Sequence, residues 1–273
     1  MLKFIYLFIN DLVRIFARSA VYVLLAIIAS LITGYVWGDS FAEGFTPENA
    51  YVLNTLRYAF VGVWGLLFMF AAIMVVVVTC QWFGEDMLTN RSYLNHMLPV
   101  YTWELVLSKA LAGLAVIVIA VGIMTVDVIK VADHISIVGD ILGIIPDLAE
   151  SDGLDFDLSM FIKLGVYFIL MLCLFIMSAA FLALSFGQLL SKGIGRDFMI
   201  FIGFFAVLFV SLAILVTVLR SAGVIAGITS IDSIQSVFDL AKSTLKCISN
   251  TNLVLSILFM TGASLILTYR LNV

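Results

Sequence analysis

Residues 81–109 read QWFGEDMLTNRSYLNHMLPVYTWELVLSK, Gln81 to Lys109, and the fold turns on how this stretch is placed. Apolar runs long enough to cross a bilayer flank it on both sides. Its charges, Glu85, Asp86, Arg91, Glu104 and Lys109, are costly in hydrocarbon, so the stretch is expected in water or at a membrane surface. Pro99 divides it, because proline lacks an amide hydrogen and clashes with the preceding helical turn. The part before Pro99 suits a short helix with Met87, Leu88, Leu94 and Leu98 on its apolar side. The part after it, Tyr101 to Lys109, can start a helix that runs into the next apolar run. A short helix lying on the surface between two spans suits a docking lever.

Composition agrees with that placement. Hydrophobic residues make up 63% of the 273 residues and charged residues 12%, and the mean hydropathy is +1.20. Soluble domains hold roughly 45–50% apolar and about 25% charged residues. The expected class is therefore an all-α polytopic membrane protein forming a single transmembrane domain over residues 1–273. The formal charge of −4 says less than where the charges fall. Cys80, Cys173 and Cys247 show neither CxxC nor metal-ligand spacing; the first two lie in apolar runs and read as packing residues.

Six spans are expected, at about Ser19–Trp37, Arg57–Cys80, Ala110–Val128, Met160–Phe186, Phe198–Leu219 and Leu253–Tyr269. Ahead of the first, residues 3–18 form an amphipathic pattern. Lys3, Asn10, Asp11, Arg14 and Arg18 share one side, and Phe4, Ile5, Phe8, Leu12, Ile15 and Phe16 the other. That pattern fits an interfacial elbow helix or simply the polar flank of the first span. Asp11 and Arg14 interrupt the N-terminal apolar run, which makes a secretory signal a poor reading.

With the N-terminus inside, Lys3, Arg14, Arg18, Arg91, Lys109, Lys192, Arg196 and Arg270 are cytoplasmic. Arg57, Lys130, Lys163, Arg220, Lys242 and Lys246 are then outside. The bias is small but favours this orientation, and an even number of spans then puts both termini in the cytoplasm. The outer loop 131–159 is acidic, with an apolar middle expected to fold back on the membrane. Its Asp152–Asp157 run lacks the closing glutamate of an EF-hand, so no metal is expected there. Residues 231–245 have the pattern of a short surface helix.

The residues of intramembrane chemistry are missing. There is no HExxH, GxSxG or GxxxxGK[ST] motif. His96 and His134 fall on opposite sides in this topology. Arg57, Asp127, Lys130 and Lys163 lie near span ends, and the span interiors read as free of ionisable residues. That pattern argues against ion coupling through this chain. No catalytic residue, no cofactor on this chain and no nucleic-acid partner are expected. Trp37, Tyr51, Tyr58, Trp82 and Trp103 read as an aromatic belt. Ala179, Ala183 and Gly187 allow close helix contact, within the chain or between copies.

The order Phe83, Glu85-Asp86, Tyr93-Leu94, Leu98-Pro99-Val100, Leu107-Ser108-Lys109 resembles the first cytoplasmic loop of ABC transporter permeases of the type-2 class. It departs from that pattern at Ser92, where glycine is common, and at Asn95-His96. Ser185–Lys192 is similar to the second cytoplasmic loop of these permeases, and Tyr269–Val273 to their short C-terminal ends. The resemblance implies a membrane subunit of an ATP-driven exporter, with an N-terminal elbow helix. It implies a coupling helix over Glu85–Pro99, with Glu85, Asp86, Arg91, Tyr93, Leu94, Leu98 and Pro99 at the ATPase contact. Gln188, Lys192 and Arg196 would make a second, smaller contact. The implied partners are two cytoplasmic ATPase subunits carrying ATP and Mg, a second permease subunit, identical or homologous, and membrane lipid. The alternative is a non-transporting scaffold or sensor that acts through the acidic outer loop.

Overall fold

A computed structural model describes residues 2–37, 50–88, 101–132, 158–187, 194–224 and 234–271. Nearly all of them are helical, and no strand occurs among the described residues. The helices are α1 (Leu2–Trp37), α2 (Ala50–Leu88), α3 (Thr102–Ala132), α4 (Leu158–Gly187), α5 (Ile194–Ser221) and α6 (Ile234–Leu271). Each contains a stretch long and apolar enough to cross a membrane. The chain is an all-α polytopic membrane protein.

The sequence explains where the helices break. The chain has three prolines, Pro47, Pro99 and Pro146, and all lie outside the six helices. Just after Pro99, the Tyr101 carbonyl accepts from the Glu104 and Leu105 amides at 3.0 and 3.3 Å. The Glu104 carboxylate in turn accepts from the Tyr101 amide at 3.4 Å. Glu104 thus satisfies an orphan donor at the start of α3 and sits favourably at its positive end. At the far end of α5 the chain turns through Gly223 at φ +73°, a left-handed conformation that glycine adopts without a Cβ penalty.

Two helices are longer than the pattern of spans suggests. Residues 3–18 and 19–37 form one helix, α1, with no break between elbow and span. No glycine or proline lies between Leu2 and Thr33 to interrupt it. Residues 234–245, expected as a separate surface helix, continue directly into the last span as α6. The polar stretch between them contains no helix breaker either.

The chain packs as two compact units. One comprises residues 1–15, 76–115 and 159–273; the other comprises 16–75 and 116–158. The second is built on small residues around one ring. Ala26, Trp64 and Ala71 form a buried cluster, with Tyr22 and Ala29 packed against it. Tyr22 meets Phe70 edge-on at 6.0 Å. Arg57 Nε donates to the Val36 carbonyl at 3.2 Å, placing a cation at the C-terminal end of α1.

In the first unit, helices approach closely where side chains are small. A Cβ at Gly113 would lie 2.7 Å from Thr79 Cγ2 and 3.0 Å from Met177 Sδ, so α2, α3 and α4 meet at this glycine. Ala179, Ala183 and Gly187 are buried within the chain. A Cβ at Gly187 would collide with the Ile200 side chain of α5. The small-residue stripe of the fourth span thus serves packing inside one chain. α5 is otherwise largely exposed, with Phe201, Phe205 and Phe209 on its surface. Such faces suit acyl chains, which solvate apolar side chains as well as protein does.

A buried ionic cluster as candidate functional site

α1, α2 and α3 bring three charged side chains together inside the first unit. Lys109 lies in the third turn of α3, Asp86 in the last turn of α2 and Asp11 in the N-terminal part of α1. Their exposures are 1%, 6% and 2%. Lys109 Nζ donates to Asp11 Oδ1 at 3.1 Å and makes a second, very close contact to Asp86 Oδ2. A charge removed from water to this degree persists only when paired and hydrogen-bonded.

Asp11 is the most fully satisfied member. Its Oδ1 also accepts from the Trp82 indole N–H at 3.1 Å, and its Oδ2 from the Ser108 hydroxyl at 2.7 Å. The Ser108 hydroxyl also lies 3.1 Å from the Leu105 carbonyl. With one hydrogen to give, it favours the shorter, charge-assisted bond. Asp11 thus takes a donor from α2 through Trp82 and two from α3 through Ser108 and Lys109.

The Trp82 ring carries two cations, with Lys109 Nζ 5.2 Å and the Arg14 guanidinium 5.1 Å from its centroid. One residue further on, Phe83 stacks on Phe181 of α4 at 4.1 Å and 14°, both fully buried. Beside the ionic contacts the helices are therefore also held by an aromatic pair. A second interhelical bond joins the Thr102 and Thr268 hydroxyls of α3 and α6, 2.5 Å apart.

The Asp11 and Asp86 carboxylates thus share the Lys109 ammonium, with the Arg14 guanidinium close by on the Trp82 ring. Among the described residues no group of three or more His, Cys, Asp or Glu side chains is placed to hold a metal ion. What the arrangement does is brace three helices through ionic contacts.

Several sequence expectations change here. Asp11, expected on a polar side with Lys3, Arg14 and Arg18, points into the protein, while Ile5, Tyr6, Ile9, Val13 and Phe16 are exposed. An apolar outer face suits lipid, and the carboxylate finds its donors inside. Trp82, expected in an aromatic belt, is buried because its indole N–H is used by Asp11. Trp103, from the same set, is exposed. Asp11, Asp86 and Lys109 lie outside the six expected spans, but the apolar helices run on past those spans and carry all three. Their partners lie far apart in sequence, which hides their compensation.

Of the residues expected at a coupling interface, Glu85 is exposed and Asp86 is turned inward onto Lys109. Arg196 is half-buried, with its Nε 3.4 Å from the exposed carboxylate of Asp197. Arg91, Tyr93, Leu94, Leu98, Pro99, Gln188 and Lys192 lie outside the described residues. So does most of the coupling helix expected over Glu85–Pro99, although residues 85–88 continue α2. The signal for Asp11 and Lys109 is present as two lone charges in apolar runs, with Ser108 beside the lysine. Only an assignment of partners across α1, α2 and α3 could have joined them.

Comparison with protein families, with curated proteins and with solved structures returned no match to this chain.

Proposed function

We propose that this chain is the membrane-spanning subunit of an ATP-driven exporter. Segment 89–100 would be seated on a separate cytoplasmic ATPase. The observation that carries the reading is the double contact of Lys109 with Asp86 and Asp11. Segment 89–100 connects α2 to α3, and the ends of both helices next to it are tied to each other and to α1 through one ammonium group. A force on a segment mounted in this way is delivered to three helices together, which a transmission element requires. The motif residues Tyr93, Leu94, Leu98 and Pro99 supply the contact, with Glu85 at its edge and Gln188, Lys192 and Arg196 forming a second one.

In this reading both termini are cytoplasmic and the membrane is the plasma membrane. Two such subunits, identical or homologous, form the pathway. ATP and Mg bind the partner ATPase, since this chain has no phosphate-binding loop of the GxxxxGK[ST] type. The largely apolar spans suit an amphiphilic cargo, such as a peptide, a drug-like molecule or a lipid. ATP closure moves the spans only if the closed ATPase interacts differently with two permease states.

The test is purification of the tagged, full-length chain from its native cells in mild detergent, with mass spectrometry of the companions. The expected result is a P-loop ATPase that is lost on Leu94→Asp while the chain itself remains folded. Recovery of a stable outer-surface partner with no ATPase would replace this reading with a scaffold or sensor.

A further inference from the structure

Far along α4 and α6 from segment 89–100, two lysines stand side by side. The two helices run in the same direction. The Tyr167 hydroxyl donates to Asn250 Oδ1 at 3.2 Å, Phe175 meets Phe259 at 6.0 Å, and a Cβ at Gly262 would lie 3.2 Å from Leu182 Cδ1. Lys163 precedes Tyr167 by one turn of α4, and Lys246 precedes Asn250 by one turn of α6, so the two lysines share one level. Both are exposed, and among the described residues neither forms an ion pair with a carboxylate. Asp239 lies two turns before Lys246, about 10 Å along the helix, whereas Lys242 has the closer spacing to it. The Asn250 amide accepts through Oδ1, which leaves its two N–H hydrogens for another acceptor. About 27 Å of helix separates Asn250 from Thr268, which meets Thr102 beside segment 89–100. A bilayer's hydrocarbon core is about 30 Å thick, so the lysines stand at its far boundary. On the same side of α6, Val254 and Ile257 follow Asn250 into the core and are exposed.

We propose that Lys163 and Lys246, together with the Asn250 amide, hold the phosphate of an anionic phospholipid in the leaflet opposite segment 89–100. The groups on offer are all donors, and two of them are cations at one level, so the complementary ligand is an anion with several acceptor oxygens. Ammonium groups on flexible stems can reach one phosphate from separate helices. A zwitterionic headgroup brings a cation of its own and gains less from two lysines. Val254 and Ile257 give the acyl chain an apolar surface, which a soluble phosphate could not use. The occupant is therefore a resident lipid of the membrane. The site is built from α4 and α6 alone, and it stands whatever docks on segment 89–100.

The test places a reporter on the acyl surface. Val254→Cys is made in the full-length chain with Cys80, Cys173 and Cys247 each changed to Ala, labelled with bimane and reconstituted in phosphatidylcholine nanodiscs. Quenching by brominated phosphatidylglycerol is compared with quenching by brominated phosphatidylcholine at equal mole fractions. No ATPase or nucleotide is added, so the outcome is separate from the transporter reading. The expected result is a preference for phosphatidylglycerol of about tenfold. Lys163→Gln and Lys246→Gln should each lower it about threefold, and the double variant should abolish it. The comparison of the two lipids needs no lysine variant, so it decides even if one of these fails to fold. Glycerol 3-phosphate in the buffer should leave the quenching unchanged; displacement by it would make this a site for a soluble phosphate and overturn the lipid. Equal quenching by the two lipids, or a preference that survives in the double variant, would also overturn the proposal. The lysines would then only reach for headgroups at large, or meet the acidic residues of segment 133–157.

Discussion

Each of the two units of this chain holds a buried cluster, and the two clusters differ in kind. In the first, the interior of the α1–α2–α3 contact is ionic, with Lys109 between Asp86 and Asp11 and with Trp82 and Ser108 completing the carboxylate. In the second, the interior is Ala26, Trp64 and Ala71, held by shape. Both are flanked by exposed apolar surface, including Ile9 and Val13 beside the first and Leu66 and Phe70 beside the second. In a soluble protein, hydrophobicity separates inside from outside. Here lipid can take any apolar side chain, so it does not. What selects the inside is a need for partners, either hydrogen-bond partners for a charge or close backbone approach at a small residue.

The contrast yields ordered predictions. The largest effect belongs to Lys109→Met, which strands two buried carboxylates and should cost about 3–5 kcal/mol in thermal or denaturant unfolding in micelles. The companion triple variant, Asp11→Asn with Asp86→Asn and Lys109→Met, has no charge left to strand and should recover most of that loss. If the triple variant is as unstable as the single one, the interior of the first unit is held by packing and the contrast breaks. Gly113→Val should cost about 1–3 kcal/mol, because its new atoms meet Thr79 and Met177 where no room exists. Gly122 lies on the same helix but in the second unit, and a Cβ added there would meet nothing within 4 Å. Gly122→Val should therefore leave unfolding nearly unchanged. Equal losses at the two glycines would show that chain stiffness, not close approach, decides. The smallest effect is Thr268→Val, which removes one interhelical hydroxyl contact and should cost about 0.6 kcal/mol by a double-mutant cycle with Thr102→Val.

Much of the architecture is legible in the residues. Sustained apolar runs mark all six helices, and the prolines mark three of the breaks. Helix ends are less legible. Residues 3–18 and 231–245 change polarity relative to the spans beside them, and a change of polarity suggests a boundary. The backbone follows hydrogen bonding instead, and from Leu2 and from Ile234 it continues as helix, with no proline, through a change of environment. The candidate site is half visible. Asp86 and Lys109 stand out as charges beside segment 89–100, yet each taken alone reads as solvent-facing. Asp11 reads as headgroup-facing for the same reason, and Trp82 as a belt residue because nothing in its sequence neighbours shows that its N–H is used.

The sequence by itself determined that this chain lives in a membrane, that it is helical, and roughly where each span lies. Those properties follow from local sums of hydropathy and from proline chemistry, which need no knowledge of neighbours. Tertiary structure alone decided which charges face inward. A carboxylate on α1 becomes tolerable at depth only when α2 and α3 deliver an indole N–H, a hydroxyl and an ammonium to it. That delivery depends on residues separated by 71 to 98 positions in the chain, and no local pattern encodes it.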